Sequence, residues 1–184
     1  MLDADYLAAF KHATEKNWSA RSVDPTGYGF QMQQGTRWNP GLPDETITEY
    51  ESDLGVRFPH EFRALLRAMN GTDLPTLNVY GYCGEPLRRA TGVYSYPRDI
   101  ELVRWRIHDV LKNRVPISDD LAEQGFTLPV DAKFVPIYGH RYVLCTSDLD
   151  NSVVLSIVVD AVDAIVYADS LKEYLEKDFL ENCR

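Results

Sequence analysis

The stretch from Gly41 to Gly71 restricts the fold more tightly than any other part of the chain, because it spells out two consecutive helices with their start and stop signals. Pro43-Asp44-Glu45 puts a ring-locked φ and two carboxylates in a first turn, where free N–H groups and the positive end of the helix dipole favour them. Ile47, Tyr50 and Leu54 follow at i, i+3 and i+7, one apolar stripe. Gly55 supplies a left-handed stop. After the extended Val56-Arg57-Phe58, Pro59 opens a second helix with Phe62, Leu65, Leu66 and Met69 on a wider stripe, and Asn70-Gly71 is expected to end it.

The rest of the chain reads more loosely. A first helix is expected from about Asp3 to Asn17, with Leu7, Phe10 and Trp18 on one face, followed by loop with one short strand near Phe30–Gln33. Leu77 to Tyr80 reads as a strand, and Gly81 to Gly84 as a turn. Pro97 is expected to start a helix carrying Ile100, Val103, Ile107 and Val110 or Leu111, with Arg104, Arg106 and Lys112 solvated. Ser118 to Gly125 suggests one capped turn. Three strands are expected next: Phe134–Ile137 continuing through Arg141–Thr146, then Val153–Val159, then Ala164–Ala168. Their short polar connections suit an antiparallel meander. Asp169-Ser170 caps a last helix that buries Leu171, Tyr174, Leu175 and Phe179. This order predicts an α+β fold, mainly antiparallel β-sheet packed with several α-helices, in a single domain spanning 1–184.

The 41–71 block resembles the first helical pair of the SUKH superfamily, domains related to a fungal cell-wall-assembly regulator and used by many bacteria as immunity proteins against polymorphic toxins. The elements that carry the resemblance are Leu42-Pro43, Leu54-Gly55-Val56, Phe58-Pro59 and Asn70-Gly71. Phe134 to Tyr142, Val153 to Ile157, Ala164 to Ala168 and Ser170 to Leu175 follow in the matching order. The family-like core is expected over 38–180, with 1–37 an added helix and loop. The resemblance implies a non-catalytic protein-binding domain without cofactors. In its immunity form the domain would dock on a cognate toxin, often a nuclease, and mask its active site. The alternative it implies is a regulatory or adaptor module binding a host protein or small ligand.

A formal charge of −9 makes direct nucleic-acid binding an unfavourable expectation, since phosphate neutralisation needs a positive surface. A basic protein partner suits it better, a toxin domain being one such. The charge is uneven: residues 88–114 hold seven Lys/Arg against three Asp/Glu, a balance of +4, which leaves −13 for the remainder. Three cysteines (Cys83, Cys145, Cys183) without a CxxC pair argue against a disulfide framework. The amino terminus lacks a basic, apolar leader pattern, and Ser156, Asp160 and Asp163 interrupt the most apolar stretch, so a soluble cytoplasmic protein is expected, away from membranes.

Candidate contact residues fall in five places. Asp44, Glu45 and Glu49 on the acidic helix, and Asp148 and Asp150 in a polar turn, are the accessible acids that could meet a basic partner. Tyr138-Gly139-His140-Arg141-Tyr142 is the densest polar cluster: His140 and Tyr142 would share one strand face with Arg141 opposite, for proton transfer, phosphate binding, partner contact or simple bracing of the sheet corner. Trp105 with Arg106 has the composition of an interface anchor, or else lies inside a helix buried on two sides. Trp38 either packs ahead of the first acidic helix or lies exposed. No metal site is expected, because the histidines at 12, 60, 108 and 140 are scattered and Asp148–Asn151 lacks the glycine and glutamate of a calcium loop. No nucleophile–base pair is spaced for catalysis, and no phosphate-cradling glycine motif occurs.

Overall fold

A computed structural model of the chain describes residues 2–24, 29–79, 87–90, 92–159 and 163–181. The expected turn at 81–84, the residues Tyr80, Asp160, Cys83 and Cys183 all lie outside these. Helix α1 (Ala4–Ala20) begins where Asp3 accepts the Tyr6 N–H, and it buries Leu7, Phe10, Thr14 and Trp18 along one side. Strands β1 (Gly29–Gln31) and β2 (Trp38–Pro40) lead to α2 (Asp44–Leu54), which stops at Gly55 with φ 62° as its sequence requires. Helix α3 (His60–Ala68) follows Pro59.

The chain departs from its sequence pattern at Met69. The helix ends at Ala68, and Met69–Thr72 becomes β3, paired antiparallel with β2. Asn70-Gly71 is therefore strand and not a helix stop. Gly71 is needed there for another reason: its φ is 69°, and a Cβ would lie 2.5 Å from the Tyr94 carbonyl oxygen. Asn70 fixes the crossing chain by accepting the Tyr96 N–H at 2.9 Å and donating to the Tyr96 carbonyl at 2.7 Å.

Strand β4 (Thr76–Val79) lies between β1 and β5 (Leu87–Ala90) in a small antiparallel sheet. The tetrapeptide after Ser95 is a turn, so α4 begins at Ile100, not Pro97, and runs to Lys112. Residues 114–123 form a full helix, α5 (Arg114–Glu123), where one turn was expected. Its start is set by Arg114, whose guanidinium donates to the carbonyls of Ala132 and Pro129, out of reach of any local pattern.

The late strands form one antiparallel meander in the order β6 (Lys133–Tyr138), β7 (Arg141–Cys145), β8 (Val154–Val158), β9 (Asp163–Ala168). The expected continuous strand from Phe134 to Thr146 is instead a hairpin. Gly139, at φ 55°, and His140 make the two-residue turn. Helix α6 (Leu171–Glu176) is capped by Ser170 and passes into a π-helical turn over Lys177–Glu181.

Alternation along the meander feeds two apolar interiors. Val135, Ile137, Val143, Cys145 and Val154 join Trp18, Trp38, Phe58, Leu65 and Phe179 on the side of α1, α2, α3 and α6. Phe134, Tyr142, Leu144, Leu155 and Ile157 join Val110, Ile117 and Leu121 on the side of α4 and α5. The fold is α+β with helices on both faces of an antiparallel sheet. No described helix is long and apolar enough to cross a membrane.

Candidate functional site

The acidic helix presents only part of its charge. Asp44 accepts from Arg67 Nε at 2.8 Å and from Arg63 Nη2 at 3.3 Å, and the Arg67 bond leads in holding its carboxyl below the usual range. Arg63 also binds Glu51. Glu45 and Glu49 are exposed and enter no ion pair among the described residues. Asp148 and Asp150 sit at the exposed turn between β7 and β8, where Asp148 Oδ1 accepts the Asp150 N–H at 3.1 Å, a hairpin device with no cation paired to it among the described residues. That turn is docked on the start of α3, since the His60 N–H donates to the Leu149 carbonyl at 2.8 Å. Asp44 lies beside the end of α3 instead. The expected acids thus form two groups, one held by Arg63 and Arg67 of α3 and the other docked at the start of that helix.

The hairpin corner is bracing. Tyr142 is 0% exposed and points into the α4–α5 interior, so the expectation that it touches a partner fails: in a strand covered on both faces there is no outward side. His140 lies in the turn, not on a strand face shared with Tyr142, and its ring rests 6.0 Å from that of Phe30. Burial, then the charges of Arg141 and Arg106, lower its pKa to about 4, so it is neutral at pH 7. Arg141 is committed on three sides. It donates to Ser156 Oγ at 2.7 Å, pairs with Asp178 at 3.3 Å and lies 3.6 Å over the Tyr167 ring. These contacts lock β7, β8, β9 and the last helical turn together.

Trp38 and Trp105 separate cleanly. Trp38 is 5% exposed; its Nε1 donates to Thr14 Oγ1 at 2.8 Å, and its ring packs on Phe10, Trp18 and Phe179. It is core, held by β2 pairing with β3. Trp105 is 54% exposed on the outer side of α4, and Leu111 and Val115 are exposed farther along the same layer. Most of the basic excess around it is spent internally: Arg98 on Asp99 and the Thr72 carbonyl, Arg104 on Glu101 and Asp53, Arg114 on loop carbonyls. Arg106 is not solvated as expected. It is half-buried, its guanidinium lies over Trp105 at 5.4 Å, and it approaches the hydroxyls of Tyr94 and Tyr142.

The interior void lined by Trp38, Tyr50, Phe62 and Met69 has room for little more than a single water, too small for a substrate. Among the described residues no group of His, Cys, Asp or Glu could hold a metal ion. Cys145 is enclosed, and burial pushes its thiol well above the ordinary range, which suits packing over nucleophilic work.

The profile of the SMI1 / KNR4 family (SUKH-1) matches residues 41–177. The chain belongs to that family. No curated protein matches it closely enough to count. The matched SUKH-1 span starts just before α2 and ends as α6 gives way to the π-helical turn, so α1, β1 and β2 lie outside it. All three are nonetheless built into the domain, α1 through Trp18 and Phe10, β1 through Phe30 against Tyr138 and His140, and β2 through Trp38. Tyr94 escaped sequence reasoning altogether. It is placed by its N–H donating to the Ile137 carbonyl at 3.0 Å, a contact across more than forty residues with no local signal.

Proposed function

We propose that this SUKH-1 domain is a non-catalytic, immunity-type binding protein that neutralises a basic toxin domain, a nuclease being the class whose cleft such a surface would cover. The observation that carries the reading is the set of exposed acids that enter no ion pair among the described residues: Glu45 and Glu49 on α2, and Asp148 and Asp150 at the β7–β8 turn. On a chain of −9 they offer a negative surface that steers a basic partner and fixes its register. Family membership supports the same reading.

The test uses a panel of basic nuclease toxin domains, each purified and co-expressed with this protein. Wild type is expected to rescue growth and to bind with an association rate that falls steeply with salt. A Glu45→Lys, Glu49→Lys variant is expected to associate at least about tenfold more slowly at low salt. Salt-insensitive binding that survives this variant removes the electrostatic basis, and failure to rescue removes the immunity role. A second reading, an adaptor that binds a host protein through α4, draws on the exposure of Trp105. It requires Trp105→Ala to weaken partner binding while the acidic variant leaves it unchanged.

A further inference from the structure

The outward side of α4 has the spacing of a helix-pairing seam. Glu101, Trp105, His108 and Lys112 follow one another at intervals of four, three and four residues, and all four are exposed. At about 100° per residue this spacing keeps them on one line of the helix, opposite the buried Val103 and Val110. Val115, at the next interval of three, is 72% exposed at the start of α5, and the exposed Leu111 flanks the line. The two ends of the line carry opposite charge. Glu101 pairs with Arg104 yet keeps 83% of its side chain in solvent, and Lys112 enters no ion pair among the described residues.

We propose that this face docks on α4 of a second copy of the chain, antiparallel, to form a two-fold dimer. Charge decides both the occupant and the direction. In an antiparallel pair each Glu101 lies opposite the second copy's Lys112, and Trp105 and His108 of both copies gather beside the dyad, so the surface complements itself. A parallel pair would set Glu101 against Glu101 and Lys112 against Lys112. The outward line of α2, with Glu45 and Glu49, carries one sign only and repels its own copy. Helix α4 has 13 residues, a strip roughly 20 Å long and 10 Å wide, which falls short of the about 800 Å² per partner of a standard interface. The dimer is therefore weak, with Trp105 as its anchor. It draws on α4 alone, so it stands or falls independently of the toxin-binding reading.

Sedimentation velocity on the full chain, from about 5 μM to about 1 mM, reads the association. Wild type is expected to pass from monomer to dimer across that range. The emission of Trp105, the exposed indole where Trp18 and Trp38 are buried, is expected to shift to the blue as it does so. Glu101→Lys alone and Lys112→Glu alone each set like charges across the seam, and each is expected to weaken the dimer by at least about tenfold. Both positions are exposed, so the fold is expected to survive either change. Mixed in equal amounts, the two variant proteins are expected to associate with each other, because the introduced charges then complement one another. Trp105→Ala is expected to weaken the dimer by at least about tenfold.

Any of three results overturns the proposal: wild type that stays monomeric up to about 1 mM, a dimer that all these variants leave unchanged, or single charge variants that remain apart when mixed. Two further arms address other occupants of the face. Wild type at about 1 μM, where it is expected to be monomeric, is mixed with vesicles of phosphatidylserine and phosphatidylcholine, and separately with the basic toxin domains used above. No binding that depends on Trp105 is expected in either arm. Binding that Trp105→Ala abolishes assigns the face to an anionic membrane or to that toxin instead, and the dimer proposal falls.

Discussion

Replacing Trp38 and Trp105 separately by alanine separates a residue that holds the domain together from one that only faces outward. Trp38→Ala removes an indole that is 5% exposed, its ring contacts with Phe10, Trp18 and Phe179, and the 2.8 Å bond to Thr14. Truncations of this kind cost about 3–5 kcal/mol. Thr14 itself stays satisfied, because its hydroxyl donates to the Phe10 carbonyl at 2.9 Å, so no orphaned donor adds to the cost. Against a total stability of about 5–15 kcal/mol, the loss is a large fraction. With a urea slope of about 2 kcal/mol/M, the unfolding midpoint should fall by roughly 1.5–2.5 M. Trp105→Ala loses only exposed surface and a solvent-screened cation–π contact with Arg106, about 0.5–1 kcal/mol or less, and should move the midpoint by under about 0.5 M. Equilibrium urea unfolding followed by far-UV circular dichroism reads both. Equal shifts for the two variants, or a Trp38→Ala midpoint within about 0.5 M of wild type, would refute the placement of Trp38 in the interior.

Stability should also respond to acid through His140. Its folded pKa of about 4 lies below the ordinary value of 6.5, so between those limits the unfolded chain binds the proton and the folded one does not. Stability is therefore expected to decline as pH falls from about 6.5 toward 4, and His140→Gln should flatten that part of a urea-midpoint profile; an unchanged slope would contradict it. Gly71→Ala and Gly125→Ala both force a side chain to positive φ, but only the first also drives a Cβ onto backbone, 2.5 Å from the Tyr94 carbonyl oxygen. Gly125→Ala should cost about 1–2 kcal/mol, and Gly71→Ala clearly more, as measured by thermal unfolding.

What could be read in advance is what local rules govern. Gly55, Pro59 and Ser170 act on the backbone within four residues, and the helices they delimit are where the pattern puts them. The meander was legible from its short polar links. Departures arise where a distant group decides. Met69 continues the helical stripe yet leaves the helix because β2 offers a pairing edge. The apolar run from Phe134 to Thr146 reads as one continuing strand, whereas cross-strand pairing folds it at Gly139 into a hairpin. Of the candidate contacts, charge alone marked the exposed acids, but not that Arg63 and Arg67 already hold Asp44. The unbroken apolar run Tyr142-Val143-Leu144-Cys145, without polar alternation, is a local sign that its strand is covered from both sides.

That double covering has a consequence for how such a domain can change partners. Since most residues of β6, β7 and β8 serve one interior or the other, that part of the sheet tolerates little variation, while the outward sides of α2 and α4 and the tip joining β7 to β8 answer to no interior at all. Recognition can drift quickly in those places with the scaffold left untouched, so a lineage in pursuit of a changing adversary would rewrite its rim and keep its frame.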